Sequence, residues 1–252
     1  MNNKLVLITG GSRGLGKNMA LKIAEKGLDV ILTYHQHKEE AHQVVSAIKG
    51  KGQKAAAIQL DSSNTSGFLN FQEKLKRVLS EEFNTKKIDF LVNNAGVGIN
   101  EAFVETSEDT FDKLVNIHLK GVFFLTQQLL PILNNEGGIV NISSGLARFT
   151  MPGYSAYGAM KAAVESLTRY QAKELGERGI RSNVIAPGAI ETDFGGGLVR
   201  DNEEVNKIVS SQIPLGRVGQ PDDIGGVVTF LCTEDAKWIN GQRIEVSGGQ
   251  NI

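Results

Sequence analysis

The amino-acid sequence predicts a doubly wound α/β fold, with about seven parallel strands in one sheet and helices on both faces. Three observations predict it. Short apolar, β-rich runs alternate with amphipathic stretches of helical length along the whole chain. The first run ends in a glycine-rich turn directly before a helix, and no Pro-, Gly- or Ser-rich linker divides the 252 residues. Strands buried on both faces and separated by helices require right-handed crossovers, hence a parallel sheet.

In chain order the strands are expected at residues 5–9, 30–34, 55–60, 88–93, 138–143, 181–186 and 243–246, each a short β-rich run. Between them the apolar spacing predicts helices at 15–26, 39–49, 68–82, 107–133, 156–175 and 222–231. In such sheets ligands bind beyond the carboxyl ends of the strands. Residues 1–252 read as a single domain, with a Gly-rich substrate lid near 193–213 that contains Gly195-Gly-Gly197.

Composition narrows the function. An apolar content of 40% is enough for a large core, and a formal net charge of −1 leaves no electrostatic footprint for nucleic acid or an anionic membrane. No apolar stretch approaches 18 residues and none at the N-terminus resembles a signal segment, so a soluble, cytoplasmic protein is expected. The single cysteine, Cys232, lies in an apolar run and reads as a core residue. His35, His37, His42 and His118 form no metal set, so no metal is expected.

The chemistry concentrates at Tyr157 and Lys161. A phenol and an ammonium four residues apart share one helix face, and the ammonium is expected to lower the phenol pKa towards neutrality. Tyr34 and Lys38 repeat the spacing, but thirteen residues before Tyr157 stands Ser144, whereas thirteen before Tyr34 stands Leu21, which has no hydroxyl. Ser143, on the alternate strand face, is read as structural. In Thr9-Gly-Gly-Ser-Arg-Gly-Leu-Gly16, glycines at 10, 14 and 16 permit a tight turn and close backbone approach, so that a helix N-terminus can face a pyrophosphate in the Rossmann manner.

These motifs, with Asn93-Asn-Ala-Gly96 and Pro187-Gly-Ala-Ile-Glu-Thr192, resemble the classical short-chain dehydrogenase/reductase family over essentially the whole chain. The resemblance implies that Tyr157 is the acid/base, that Ser144 polarises the substrate oxygen, and that Lys161 lowers the Tyr157 pKa and binds the nicotinamide ribose. It implies further cofactor contacts from Gly10, Ser12, Arg13, Gly14, Leu15 and Gly16, from Tyr34 and His35, and from Asp61 and Ser62. Asn93, Ala95, Gly96, Pro187, Gly188, Ile190 and Thr192 complete the set. The family's fourth catalytic residue is an Asn, and that slot here holds His118. On a regular α-helix Asn116 lies about 200° away from it, on the wrong face. His118 is therefore expected to support the proton relay through its main-chain carbonyl.

No acid follows the second strand in Thr33-Tyr-His-Gln-His-Lys38, and Arg13 can face a phosphate, so NADP(H) is favoured over NAD(H). The expected activity is reduction of a ketone or oxidation of a secondary alcohol. The enzymatic alternative is a 3-oxoacyl-[acyl-carrier-protein] reductase, disfavoured by the acid in Leu133-Asn-Asn-Glu-Gly137 although Arg178 is available to a carrier. A non-catalytic NADP(H)-binding sensor is the alternative of another class. A homotetramer is implied by the family, with Leu129, Leu130 and Leu133 as contact residues.

Overall fold

The computed structural model describes residues 3–252. Seven parallel strands form one sheet in the order β3-β2-β1-β4-β5-β6-β7. They are β1 (Leu5–Ile8), β2 (Asp29–Tyr34), β3 (Ala55–Gln59), β4 (Ile88–Asn93), β5 (Leu133–Ile142), β6 (Arg181–Pro187) and β7 (Arg243–Val246). The helices are α1 (Gly14–Glu25), α2 (Lys38–Gly50), α3 (Phe68–Phe83), α4 (Glu108–Val115), α5 (Gly121–Leu129), α6 (Ser155–Glu174), α7 (Leu198–Asp201), α8 (Glu203–Ser210) and α9 (Pro221–Leu231). The chain is a Rossmann-like α/β structure, as its alternating pattern predicts. Among the described residues, no helix is long and apolar enough to cross a membrane.

The period-two geometry of β1 divides the core. Val6 and Ile8 enter one apolar layer with Met19 and Ile23 of α1, Val44 and Ile48 of α2, and Ile224 and Val228 of α9. Leu5 and Leu7 enter the opposite layer with Phe71, Leu75 and Leu79 of α3 and Leu125 and Leu129 of α5. Because β1 pairs with both β2 and β4, the strand order reverses there, and a crevice opens beyond the strand ends.

The expected helix over 107–133 is interrupted. Ser107 does cap its start, accepting from the Thr110 N–H at 3.2 Å. Residues Asn116–Lys120 then form a π-turn, in which the Gly121 N–H reaches the Asn116 carbonyl five residues back. A Cβ at Gly121 would sit 2.1 Å from the Ser62 carbonyl, so this helix passes unusually close to the loop after β3. Pro131, which has no N–H to continue the ladder, lies in a short 3-10 turn, and Leu133 already belongs to β5, opposite Ile88. The 200° offset between Asn116 and His118 presumes a regular α-helix, which the widened turn is not.

Leu129 and Leu133 are fully buried in the layer beneath α3, and Leu130 packs against it. They are core residues and not an assembly surface, because the end of α5, the turn after it and the first residue of β5 all face the apolar layer under α3. Cys232 is buried, and burial pushes its thiol up to about 12, as suits a core side chain.

Candidate active site

A groove of about 520 Å³ lies at the carboxyl ends of β1, β4, β5 and β6. One wall is the β1–α1 turn, with Gly10 at φ +66° and Gly14 at φ +52°, which L side chains adopt only under strain. A Cβ at Gly16 would stand 2.1 Å from the Gly10 carbonyl and 2.6 Å from Asn94 Nδ2. Glycine is thus a steric requirement that lets the turn, the α1 N-terminus and the β4 loop meet.

Of the residues expected at a cofactor, Gly10, Ser12, Arg13, Gly14, Leu15, Gly16, Tyr34, His35, Asp61, Ser62, Ala95, Gly96, Pro187, Gly188, Ile190 and Thr192 all line this groove, with Ser144, Tyr157, Lys161 and His118. Asn93 does not. Its amide is buried beneath the sheet, donating to Thr126 Oγ1 at 3.0 Å and to Asn141 Oδ1 at 2.8 Å. Strand alternation turns Asn93 to the helices and leaves the next residue for the groove. Asn94 takes that place, bonding the Thr9 and Gly10 carbonyls at 2.8 and 3.0 Å, and only the phase of the strand end could have distinguished the two asparagines. Asp193, Phe194 and Gly195, at the start of the segment read from the sequence as a lid, also line the groove, as do Val97 and Gly98, which no motif announces.

At the centre, the Ser144 hydroxyl faces the Tyr157 phenol and acts to lower its pKa, and the Ser144 Oγ accepts from the Leu146 N–H at 3.2 Å. Ser143 turns away to Glu165, at 2.8 Å, and serves the packing of α6. Lys161 lies beneath the phenol ring, its Nζ 5.5 Å from the ring centre, and donates to the Ile142 carbonyl at 2.7 Å. Burial brings the Lys161 ammonium down to about 7.

The phenol does not behave as helix spacing suggests. Burial holds the Tyr157 pKa above its ordinary value, opposed by the Ser144 hydroxyl and reinforced by Tyr154. The lowering expected from Lys161 is therefore absent in this arrangement. Desolvation disfavours the phenolate more than the neighbouring hydroxyl favours it, and Tyr157 is held protonated.

His118 sits in the π-turn, almost wholly buried. Its Nε2 lies 2.8 Å from the Val97 carbonyl and 3.3 Å from the Val97 N–H. One nitrogen cannot donate and accept at once, and the shorter contact favours the Nε2–H tautomer. Nδ1 is then a buried acceptor with no partner, facing the backbone of Gly96. The ring meets Tyr157 edge-on at 5.2 Å. Burial, aided by the nearby Lys161 charge, drives the imidazole down to about 3, so it is neutral.

Arg13 is half exposed and pairs with Asp193 at 3.0 Å across the mouth of the groove, and Asp193 also faces Arg200 at 3.5 Å. At the end of β2, Thr33 and Tyr34 line the groove, and His35, Gln36 and His37 follow them, none of them contributing a carboxylate.

A dinucleotide-shaped groove at the switch point of a parallel sheet, with Ser144, Tyr157 and Lys161 at its inner end, defines an oxidoreductase of the α/β dinucleotide-binding class. The family model described as enoyl-(acyl carrier protein) reductase matches residues 10–251, and the chain belongs to the classical short-chain dehydrogenase/reductase family. Among relatives, the 3-oxoacyl-[acyl-carrier-protein] reductase FabG of Staphylococcus aureus is 39% identical over 248 residues, covering 98% of this chain and 97% of the relative. The promiscuous reductase LugOII, which catalyses keto-reduction at C1 during lugdunomycin biosynthesis, superposes with a TM-score of 0.94 at 32% identity, over 100% of this chain and 99% of that one. The angucycline C-6 ketoreductase LanV with bound NADP gives 0.93 at 34% identity, over 98% and 95%.

Proposed function

We propose that this protein is an NADP(H)-dependent carbonyl reductase acting on a ketone, with Tyr157 as proton donor. The observation that carries the reading is the convergence of Ser144, the buried Tyr157 phenol and Lys161, its Nζ 5.5 Å from the phenol ring centre, at the inner end of the groove. A phenol held neutral is the acid that a ketone oxygen needs as it gains negative charge.

Gly10, Ser12, Arg13, Gly14 and Gly16 would hold the cofactor phosphates, Asp61 the adenine end, and Lys161, Ile190 and Thr192 the nicotinamide end. The groove at Gly14, where a Cβ would meet nothing nearer than Thr192 at 3.8 Å, leaves room for that group beside the α1 N-terminus. When bound, NADPH supplies the hydride that reduces the carbonyl carbon. Ser144 donates a hydrogen bond to the carbonyl oxygen, and Tyr157 gives that oxygen its proton. Lys161, near neutrality in its own titration, is placed to return charge and proton to the phenolate left behind. His118 holds the Val97 end of the cofactor loop through Nε2 and takes no proton at neutral pH.

Favouring NADP(H), LanV carries NADP, no carboxylate follows β2, and Arg13 stands at the groove. The carrier-protein reading draws support from the FabG relative. Against it, Arg178 is folded back onto Asn135 Oδ1 and the Leu130 and Leu133 carbonyls, so it is engaged within the chain. Comparing a free ketone with a carrier-bound 3-oxoacyl thioester as substrate separates the two. We also place the protein in the cytoplasm as a homotetramer. The exposed Phe111, Phe123 and Phe124 of the α4–α5 region and Tyr170 of α6 supply apolar assembly surface that the buried leucines do not. Light scattering showing a monomer at micromolar concentration would refute the tetramer.

The deciding experiment is Tyr157→Phe. Ketone-dependent NADPH oxidation should fall about 100-fold or more, with NADPH affinity unchanged within a few-fold. A variant keeping more than about a tenth of the wild-type rate would remove Tyr157 from its role. No ketone-dependent oxidation by wild type would favour the sensor.

A further inference from the structure

Phe194 stands out among the groove residues because its ring is 45% exposed and yet leans on the acid itself, 5.7 Å from the Tyr157 ring centre at an interplanar angle of 56°. Its Cε1 would be 2.6 Å from a Cβ at Gly98, so the absence of a side chain there makes the notch in which the ring rests. The segment bearing it is tied mainly through Asp193, whose carbonyl accepts from the Gly196 N–H at 3.2 Å and whose carboxylate faces Arg200 at 3.5 Å. Before it, Asp193 pairs with Arg13, and the Phe194 N–H donates to Thr192 Oγ1 at 3.2 Å. After it, Gly195, Gly196 and Gly197 all have φ between +62° and +78°, a run that leaves the backbone free to readjust.

Any ketone whose oxygen reaches both Ser144 and Tyr157 must place the substituents on its carbonyl carbon within a few ångströms of that ring. Around Tyr157 also lie the buried His118 ring, 5.2 Å away edge-on, Tyr154 with its ring centre 6.2 Å away, and the apolar Val97, Ile99 and Leu146. The charged groups nearest this corner are already engaged, Lys161 by the Ile142 carbonyl and Asp193 by Arg13. Nothing there rewards a charged substrate, whereas two aromatic faces and a glycine notch reward a flat one.

We propose that Phe194 is a specificity-determining residue, which selects uncharged ketones conjugated to an aromatic ring by packing against that ring. The inference rests on the reductase reading above and deepens it by naming a substrate class. An aromatic pair contributes about 0.5–1.5 kcal/mol beyond area burial, equivalent to roughly 2- to 12-fold in rate ratio.

The test measures kcat/KM with NADPH for 1-tetralone and for the aliphatic 2-decanone, in wild type, Phe194→Leu and Phe194→Tyr. Wild type should prefer 1-tetralone. Phe194→Leu should lower the 1-tetralone to 2-decanone ratio of kcat/KM about fivefold, mostly through KM for 1-tetralone, and Phe194→Tyr should restore that ratio. Equal losses on both ketones, no loss on either, or a wild-type preference for 2-decanone would overturn the assignment while leaving the reductase reading intact. Reduction of neither ketone by wild type would sink the reductase reading, and this inference with it.

Discussion

On the cofactor side of the groove, a Cβ at Gly16 would lie 2.1 Å from a backbone oxygen, and one at Gly10 would lie 3.0 Å from the Ala95 Cα. On the lid side, Gly196 has nothing within 4 Å of the same position, although its φ is +78°. Both walls depend on glycine, for opposite reasons. The first needs glycine because three backbones converge, and such contact has one solution, suited to a ligand that never changes. The second needs it for left-handed turns in an exposed segment with few contacts, suited to substrates that differ. The central Ser144, Tyr157 and Lys161 belong to the first wall in their burial and packing, while Phe194 belongs to the second.

The largest break in this contrast should come from Gly16→Ala. Forcing a methyl against a backbone carbonyl should cost about 3 kcal/mol or more in urea unfolding and abolish tight NADPH binding. A variant within about 1 kcal/mol of wild type would show that the cofactor wall yields like the lid.

His118 tests the rigid wall by pH. Its imidazole titrates near 3 when folded and near 6.5 when unfolded, so the unfolded chain binds more protons between those values. The stabilisation from the neutral ring is therefore full above about 6.5 and is lost as pH falls towards 3. Between pH 7 and 4.5, wild type should lose roughly 2–3 kcal/mol more unfolding free energy than His118→Asn. Identical losses would mean that the ring is not held neutral. In the same variant, kcat at pH 7 should change only a few-fold. Any limb near pH 7 in the rate profile should survive, because it belongs to Lys161, whose pKa is about 7. Disappearance of that limb would place the imidazole in the relay.

Arg13 joins the two walls. Its pair with Asp193 is exposed and worth at most about 1 kcal/mol, less than the roughly 1.5–3 kcal/mol of charge-assisted bonds to a 2′-phosphate. Arg13→Ala should thus weaken NADPH about tenfold or more and NADH hardly at all, measured by fluorescence titration. Equal loss for both cofactors would remove the residue from phosphate recognition.

The smallest effect belongs to Gly196→Ala. Only the left-handed backbone opposes the methyl, so a cost of about 1–2 kcal/mol in stability is expected with unchanged NADPH affinity. A fall in affinity like that of Gly16→Ala would erase the distinction between the walls.

Local features were legible along the chain. The glycine turn, the i,i+4 spacing of Tyr157 and Lys161, Ser144 at a strand end and the alternation of strands and helices all express short-range geometry that residue identity largely dictates. What required the tertiary structure was everything set by a neighbour distant in sequence. Asn94 and not Asn93 faces the groove because of the phase in which β4 enters its sheet. The helix after Ser107 widens at Asn116–Lys120 where Gly121 meets the Ser62 carbonyl, a contact 59 residues away in the chain that no helical pattern encodes. Leu129 and Leu133 turn inward because α3 and the sheet cover them. The Tyr157 phenol is raised and not lowered because the packing of α6 removes its water, and desolvation depends on how many other segments close around a group, which no spacing of residues records.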